Sequence, residues 1–203
     1  MKFPARGLYA ITQPEAKTIQ QVINEVEAAL KGGANIVQYR DKQPIDALTL
    51  ASELLSLCHS YKVPLLINDN LSLAAQIGAD GVHLGKDDGD LTLARQMLGE
   101  DAIIGISCYN DVLKAQIMAD QGASYVAFGR FFSSGSKPLA AAADISSLNQ
   151  AKALIKVPIV AIGGILPSNG GQLLAAGADL LAVIGGLFDH EPESAAKQYL
   201  RLF

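Results

Sequence analysis

The stretch "NIVQYRDKQPIDALTLASELLSLCHSYKVPLLIND", residues 35–69, contains an apolar run, a polar turn, an amphipathic segment and a second apolar run. Short continuous apolar runs are typical of strands buried on both faces, and the segment between them has the apolar spacing of a helix. Parallel strands need a crossover connection, usually a helix. The stretch therefore predicts one strand–helix–strand unit.

The same pattern repeats along the whole chain. Eight apolar runs alternate with amphipathic segments, several of which end at a glycine suited to a helix C-terminus. The runs are GLYAIT (7–12), NIVQYR (35–40), PLLIND (64–69), GVHLG (81–85), IIGIS (103–107), YVAFG (125–129), PIVAIGG (158–164) and LLAVIG (180–185). Eight such units predict an α/β fold, a (β/α)8 TIM barrel forming a single domain over residues 1–203.

An open, doubly wound parallel sheet is the alternative architecture, because it has the same alternation of strands and helices. Such a sheet commonly binds a dinucleotide at a glycine-rich turn after its first strand. The corresponding stretch here is TQPEAK (12–17), which contains no glycine. The barrel is therefore favoured.

The composition argues against several classes of protein. The net charge is −4, so no general basic field attracts nucleic acid. No run approaches the roughly 18 apolar residues of a membrane span, and the first residues lack the apolar region of a signal peptide. Cys58 and Cys108 show no metal-type pairing and suit a reducing compartment. These features predict a cytoplasmic protein without nucleic-acid or membrane partners; a homo-oligomer is compatible with them.

Polar residues follow the predicted strands, at the end where barrel enzymes act. After the second strand, Gln38, Arg40 and Lys42 occupy alternate positions, so in a continued strand they would share one face. Two cations on one face need carboxylates nearby or an anionic ligand, because burying an uncompensated charge is costly. The ends of the other strands carry Asn68, Asp69, Asp88, Ser107, Lys137 and the glycines of AIGGI and VIGG, which include Gly164 and Gly185.

These residue types predict a site for phosphorylated ligands. Asp69 and Asp88 offer oxygen ligands, and Mg²⁺ prefers oxygen, taking one or two carboxylates together with substrate phosphates. A diphosphate held between Mg²⁺ and the cations fits this set. The glycines after the seventh and eighth strands lie where barrels commonly bind phosphate through backbone N–H groups, which indicates a second phosphate.

Each of these residues also has a structural interpretation. Asp69 could cap the helix that starts near Leu71. Arg40 and Lys42 could pair with the two aspartates in a structural network, and the glycines could serve tight turns. His83 is expected to be a core or strand-end histidine bonded to the backbone. No Ser-His-Asp arrangement is apparent, so departure of diphosphate is the chemistry indicated.

The ordered motifs VQYRDK, INDN, GADGVHLG, GISCYN, YVAFGRFF, SKP and PIVAIGGI resemble those of thiamine phosphate synthases along almost the whole chain. The resemblance implies a transferase of thiamine biosynthesis. With Mg²⁺, this enzyme joins 4-amino-2-methyl-5-(diphosphooxymethyl)pyrimidine, here the pyrimidine diphosphate, to 4-methyl-5-(2-phosphoethyl)thiazole, here the thiazole phosphate. Diphosphate leaves first, and the thiazole nitrogen then attacks the resulting pyrimidine-methyl cation.

The resemblance also implies roles for the candidate residues. It makes Asp69 and Asp88 the Mg²⁺ ligands, and Arg40, Lys42, Lys137 and Ser107 the catalytic residues. The pyrimidine diphosphate would contact Gln38, Arg40, Lys42, Asn68, Ser107 and Lys137, and the thiazole phosphate would contact Ser134, Ser136, Gly164, Ile184 and Gly185.

Three positions depart from the family pattern. Serines at 134 and 136 replace two threonines, Ile184-Gly185 replaces Val-Ser, and Lys86 replaces a glutamine. Loss of one hydroxyl at Gly185 is expected to weaken thiazole binding. The Ser/Gly/Ala-rich segment 131–144, which carries Lys137, is expected to be a lid or a connection of no function.

Two other functions compete with the synthase hypothesis. A thiazole tautomerase shares the barrel and a related phosphate site but needs a positioned acid or base and no apparatus for a metal and a diphosphate. A non-catalytic sensor of phosphorylated ligands would keep the barrel only as a binding module. The set Gln38, Arg40, Lys42, Asp69 and Asp88 argues against both.

Overall fold

Eight strands pair side by side in parallel, and the last strand pairs with the first, so the sheet closes into a barrel. The computed structural model describes residues 1–85, 90–133 and 142–203. The strands are β1 (Gly7–Ile11), β2 (Ile36–Tyr39), β3 (Leu65–Asn68), β4 (Gly81–Leu84), β5 (Ile103–Tyr109), β6 (Tyr125–Phe128), β7 (Ile159–Ile162) and β8 (Leu180–Val183). Each lies within one of the eight predicted apolar runs or extends it by two residues, so the predicted barrel is confirmed.

Helices follow every strand. They are α1 (Ile19–Lys31), α2 (Ala47–Ser60), α3 (Leu71–Ile77), α4 (Leu91–Leu98), α5 (Val112–Asp120), α6 (Ser146–Leu154), α7 (Gly170–Ala175), α8 (Gly185–Phe188) and α9 (Pro192–Leu200). Side chains cap several of their N-termini; Thr18 and Gln21 form a reciprocal capping box at the start of α1. No helix in the described part is long and apolar enough to cross a membrane.

The apolar core has two layers, which follow from the alternation of side chains along each strand. In β2, Val37 and Tyr39 point outward and join the large cluster between the sheet and the helices. Ile36 points inward and joins a smaller cluster that fills the barrel, together with residues such as Tyr9, Leu66 and Tyr125. Gln38 alternates with Val37 and Tyr39 and so takes an inward position.

Phe3 closes the end of the barrel opposite the predicted site. Its ring stacks on Tyr125, with centroids 4.2 Å apart and planes 11° from parallel, and meets Tyr9 edge to face. Tyr125 is the first residue of β6, so this stack lies at the amino ends of the strands. The Phe3 ring thus covers the barrel interior at the amino ends of the strands, opposite the ends that the sequence predicts to carry the site.

Candidate active site

Gln38 lies inside the barrel, whereas Arg40 and Lys42 lie beyond the end of the strand. The Gln38 side chain is 2% exposed, and its Nε2 donates a hydrogen bond to the Tyr9 hydroxyl over 2.6 Å. Strand β2 ends at Tyr39, so strand alternation does not extend to the two cations. Arg40 is half-buried and Lys42 is exposed. The assumption of a strand that continues to Lys42 is therefore wrong beyond Tyr39, and the shared face of the three side chains stays a prediction.

Thr12 fixes the backbone of Arg40. The Thr12 hydroxyl accepts a hydrogen bond from the Arg40 N–H over 2.9 Å and donates one to the Arg40 carbonyl over 3.1 Å. Thr12 itself is buried and follows β1 directly. Two bonds to one hydroxyl hold Arg40 against the end of the neighbouring strand. Thr12 was not among the predicted residues; its signal is a polar residue directly after an apolar strand.

The structure does not support a salt-bridge network as the role of the two cations. None of the described carboxylates forms an ion pair with Arg40 or Lys42. The nearest acidic residue in sequence, Asp41, instead accepts from the backbone N–H of Gln43 over 2.9 Å and from the Tyr39 hydroxyl. Asp88, the other expected partner, lies outside the described residues, so the predicted network is wrong for Asp69 and stays a prediction for Asp88.

Asp69 does not cap α3. That cap is Asn70, whose side chain accepts from the N–H of Leu73 over 2.9 Å, so the capping interpretation of Asp69 is wrong. Asp69 has a φ of 59°, a left-handed conformation that aspartate tolerates better than most residues. Its carboxylate accepts from the Asn68 side chain and, over 3.1 Å, from the N–H of Gly85. The carboxylate therefore bridges the ends of β3 and β4.

The chemistry of these donors fits a hard cation. Asp69 contributes carboxylate oxygens at the carboxyl end of β3, half-buried beside the Asn68 amide. The Asn68 side chain donates to Oδ2 of this carboxylate and the Gly85 N–H donates to Oδ1, and carboxylate oxygens are the ligands that a hard cation prefers. Gly85 precedes Asp88 by three residues, so Asp69 contacts the segment that leads to the second expected ligand. Within the described ranges, no cluster of three or more His, Cys, Asp or Glu side chains forms a complete metal site.

Ser107 lies on the inward face of β5 and contacts His83. The Ser107 Oγ is 2.9 Å from His83 Nε2, and the other ring nitrogen, Nδ1, is 2.8 Å from the Tyr125 hydroxyl. We expected the His83 ring to bond to the backbone, but in both of these contacts its partner is a side-chain hydroxyl, so the expectation is wrong for them. Lys114 donates to the Ser107 carbonyl over 3.0 Å and so holds the strand end. The sequence signal for a His83 contact inside the barrel is a polar residue at an inward position of the apolar strand β4.

Two glycines after β7 let the neighbouring loop approach closely. Gly163 and Gly164 have φ values of 106° and 61°. A Cβ at Gly164 would lie 2.3 Å from the Ser133 carbonyl oxygen, and one at Gly163 would lie 2.2 Å from the Arg130 Cβ. The tight turn at Gly164 therefore explains by itself why this residue is a glycine. The same packing brings the loop after β6 beside the loop after β7.

Gly185 lies where α8 begins, next to a carboxylate. A Cβ at Gly185 would lie 2.4 Å from Oδ2 of Asp189, whose Oδ1 accepts from Gln13 over 3.3 Å. Ile184 precedes it and packs against the cluster inside the barrel. No acceptor among the described residues takes the backbone N–H of Gly164 or Gly185. These N–H groups can bind an anion at the carboxyl ends of β7 and β8.

Five residues singled out in the sequence lie outside the described residues. They are Lys86, Asp88, Ser134, Ser136 and Lys137. Most of the predicted lid segment lies there too. Their expected roles stay predictions.

The buried titratable groups of the barrel favour their neutral forms. Burial raises the pKa of Tyr9 and of Tyr125 well above that of a free tyrosine, so both hydroxyls keep their protons. Burial also raises the pKa of each cysteine thiol, Cys58 and Cys108, to about 12. Neither cysteine is therefore an activated nucleophile.

The chain forms a closed (β/α)8 barrel. Polar side chains and backbone N–H groups without a described acceptor lie at the carboxyl ends of its strands, which is the architecture of a barrel enzyme. Comparison of the amino-acid sequence with known families identifies the family within this class of barrel enzymes. The chain belongs to the thiamine monophosphate synthase family, whose model matches residues 8–187.

Individual relatives agree with this assignment. The thiamine-phosphate synthase of Marinobacter nauticus is 52% identical over 202 residues, covering 97% of this chain and 90% of its own. That of Nitrosococcus oceani is 49% identical, covering 100% of this chain and 95% of its own. The solved structure of thiamine phosphate pyrophosphorylase from Pyrococcus furiosus has a TM-score of 0.85 at 28% identity, over 98% of this chain and 95% of that one.

Proposed function

We propose that this chain is a thiamine phosphate synthase that condenses the pyrimidine diphosphate with the thiazole phosphate and releases diphosphate. Family membership over most of the chain supports the reaction. The structural observation that carries the proposal is the state of Arg40. Its backbone is held by Thr12 at the carboxyl end of the barrel, and its charge is not paired with any described carboxylate.

The pyrimidine diphosphate would be held by two groups of residues. Arg40 and Lys42, in the loop after β2, would bind the diphosphate, because guanidinium and ammonium groups form charge-assisted hydrogen bonds to phosphate. Asn68 would bind it from β3, and Lys137 would complete the set. Gln38 and Ser107 occupy inward positions and would hold the pyrimidine ring above the barrel core.

Mg²⁺ would be held by Asp69 and Asp88. When bound, the ion neutralises charge that develops on the departing diphosphate. Asp69 would serve this role through a carboxylate that the Asn68 side chain and the Gly85 N–H orient. The cations at positions 40 and 42 act on the same charge from the side of β2.

The thiazole phosphate would be bound after β6, β7 and β8. The N–H groups of Gly164 and Gly185 would donate to its phosphate, with Ile184 packed beside them, and Ser134 and Ser136 would add hydroxyl groups. The backbone of Ser133 packs against Gly164, so the described end of the loop after β6 lies beside the loop after β7.

No protein group needs to remove a proton in this reaction. Diphosphate departs with both bonding electrons and leaves a pyrimidine-methyl cation, which the lone pair of the thiazole nitrogen then captures. The protein contributes binding, orientation and stabilisation of the leaving charge. A cytoplasmic location belongs to the same proposal.

The experiment is to measure diphosphate release by the full chain with both substrates, with each substrate alone, and with Mg²⁺ replaced by a chelator. Release that needs both substrates and Mg²⁺ supports the proposal. A folded protein that releases none overturns it. Isomerisation of the thiazole phosphate alone, without Mg²⁺, would indicate the tautomerase, and binding without turnover would indicate the sensor.

A further inference from the structure

A chain of hydrogen bonds crosses the inside of the barrel between Gln38 and Ser107. Gln38 Nε2 lies 2.6 Å from the Tyr9 hydroxyl, which lies 2.8 Å from the Tyr125 hydroxyl. The Tyr125 hydroxyl lies 2.8 Å from His83 Nδ1, and His83 Nε2 lies 2.9 Å from Ser107 Oγ. We call these five residues the interior chain. Its two ends are the two residues proposed to hold the pyrimidine ring.

The middle of the interior chain is closed off from solvent. Tyr9 is 1% exposed and Tyr125 is 0% exposed. Gly105 makes room for the Tyr125 ring, because a Cβ at position 105 would lie 1.9 Å from the Tyr125 Cζ. Phe3 stacks on the same ring from the amino end. Because both hydroxyls are shielded from bulk solvent, their hydrogen bonds depend on the interior chain.

The Gln38 end gives the interior chain a direction. An amide NH₂ group only donates, so Tyr9 accepts from Gln38 and can use its own proton toward Tyr125. In the arrangement that continues this direction, Tyr125 donates to a neutral His83 at Nδ1. A neutral imidazole that accepts at Nδ1 carries its proton on Nε2, so His83 donates to Ser107. Ser107 Oγ is then an acceptor from His83 and keeps its own proton for another partner.

We propose that Tyr9, Tyr125 and His83 are positioning residues that present the Ser107 hydroxyl to the substrate as a hydrogen-bond donor. The inference rests on the proposed role of Ser107 in pyrimidine binding. A ring nitrogen of the pyrimidine accepts such a bond, whereas its amino group does not. His83 is held as the neutral tautomer with its proton on Nε2. Loss of either tyrosine hydroxyl removes the direction and leaves Ser107 free to point its proton toward His83.

The first test reads the tautomer directly and does not depend on activity. The chain contains three histidines, so ¹⁵N-labelled histidine and a His83→Gln variant assign the His83 ring by difference. The proton is expected on Nε2 in the wild-type chain and is expected to be shared between the two nitrogens in Tyr125→Phe. A proton on Nδ1 in the wild-type chain would overturn the proposed direction, whatever the reaction proves to be.

The second test reads substrate binding. Tyr125→Phe is expected to raise the KM for the pyrimidine diphosphate about tenfold, the size of one lost neutral hydrogen bond, with the KM for the thiazole phosphate unchanged. Tyr61→Phe is the matched control, because the Tyr61 hydroxyl binds Glu27 outside the barrel. If Tyr125→Phe does not fold, Tyr9→Phe breaks the interior chain one step earlier and has the same expected effect. An unchanged pyrimidine KM in a folded variant would overturn the positioning role.

Discussion

The hydroxyl of Thr12 makes two hydrogen bonds to the backbone of Arg40, one as acceptor and one as donor. This contact joins the end of β1 to the loop after β2, so the guanidinium begins from a fixed backbone at the carboxyl end of the barrel. A fixed starting point reduces the conformational entropy that Arg40 loses when it binds an anion.

Thr12→Val tests the importance of this contact, because valine has nearly the same shape without the hydroxyl. Each neutral hydrogen bond contributes about 0.5–1.5 kcal/mol, so we expect the KM for the pyrimidine diphosphate to rise about tenfold. Steady-state kinetics measure the change. Thr12→Ser keeps both bonds and is the control; equal kinetics for the two variants would contradict the role given to the hydroxyl.

Asp69→Asn tests the metal site with little change in shape. We expect Mg²⁺-dependent turnover to fall at least a hundredfold, since the carboxylate charge that holds the ion is lost. Thermal unfolding is expected to change little, because Asn70 and not Asp69 caps α3. Asn70→Ala is the matched control: it should cost about 1 kcal/mol of unfolding free energy and leave the Mg²⁺ dependence intact. Full Mg²⁺-dependent turnover by Asp69→Asn would contradict the assignment.

Asp189→Asn tests whether a carboxylate beside Gly185 weakens thiazole binding. A negative charge next to the proposed phosphate site repels the phosphate, and Asp189 is exposed, so screening by solvent limits the effect. We expect the KM for the thiazole phosphate to fall about two- to fivefold at low salt, with the KM for the pyrimidine diphosphate unchanged. Asp101→Asn, in the turn before β5, is the control. A rise in the thiazole KM would show instead that Asp189 supports the pocket.

Asp80 is expected to make the stability of the barrel sensitive to acid. Burial raises the pKa of this carboxyl, but hydrogen bonds from the Leu65 N–H, His59 and the N-terminal ammonium outweigh burial and lower it overall. A folded-state pKa below the unfolded value of 3.8 adds stability above that pH, and this stability is lost as pH falls through the folded pKa.

Denaturant unfolding of the wild-type chain between pH 7 and pH 3 should therefore show a free energy of unfolding that declines below about pH 4. Asp80→Asn should be less stable at pH 7 and should lose less stability on acidification. An identical pH dependence in the two proteins would contradict the assignment to Asp80.

Most of the barrel could be predicted from local sequence, and part of the site could not. Strands such as β2 and β7 are short apolar runs, and their inward and outward positions follow from alternation. Which inward side chains meet depends on the stagger between strands. Gln38 is paired in the backbone with Ile11, yet its side chain reaches Tyr9 two residues earlier.

The interior chain depends on the same long-range geometry. Tyr125 faces Gly105 across β5 and β6, and only a glycine there lets the ring extend to His83. The length of β2 was predicted wrongly for a different reason. Strand alternation continued to Lys42 would place Gln38, Arg40 and Lys42 on one face, but the strand ends at Tyr39. Strand ends depend on where neighbouring strands stop pairing, which the residues of one run do not determine.

The most direct test of the account is the dissociation constant of the pyrimidine diphosphate, measured by titration calorimetry with Mg²⁺ present. Wild type is compared with two variants, Arg40→Ala and the control Arg6→Ala. Arg6 precedes β1, is exposed, and stacks on the ring of Phe203. Hydrogen bonds to charged groups contribute about 1.5–3 kcal/mol, so Arg40→Ala should weaken binding roughly ten- to a hundredfold while Arg6→Ala leaves it unchanged. An unchanged dissociation constant for a folded Arg40→Ala would contradict the role of this cation as the anchor of the diphosphate.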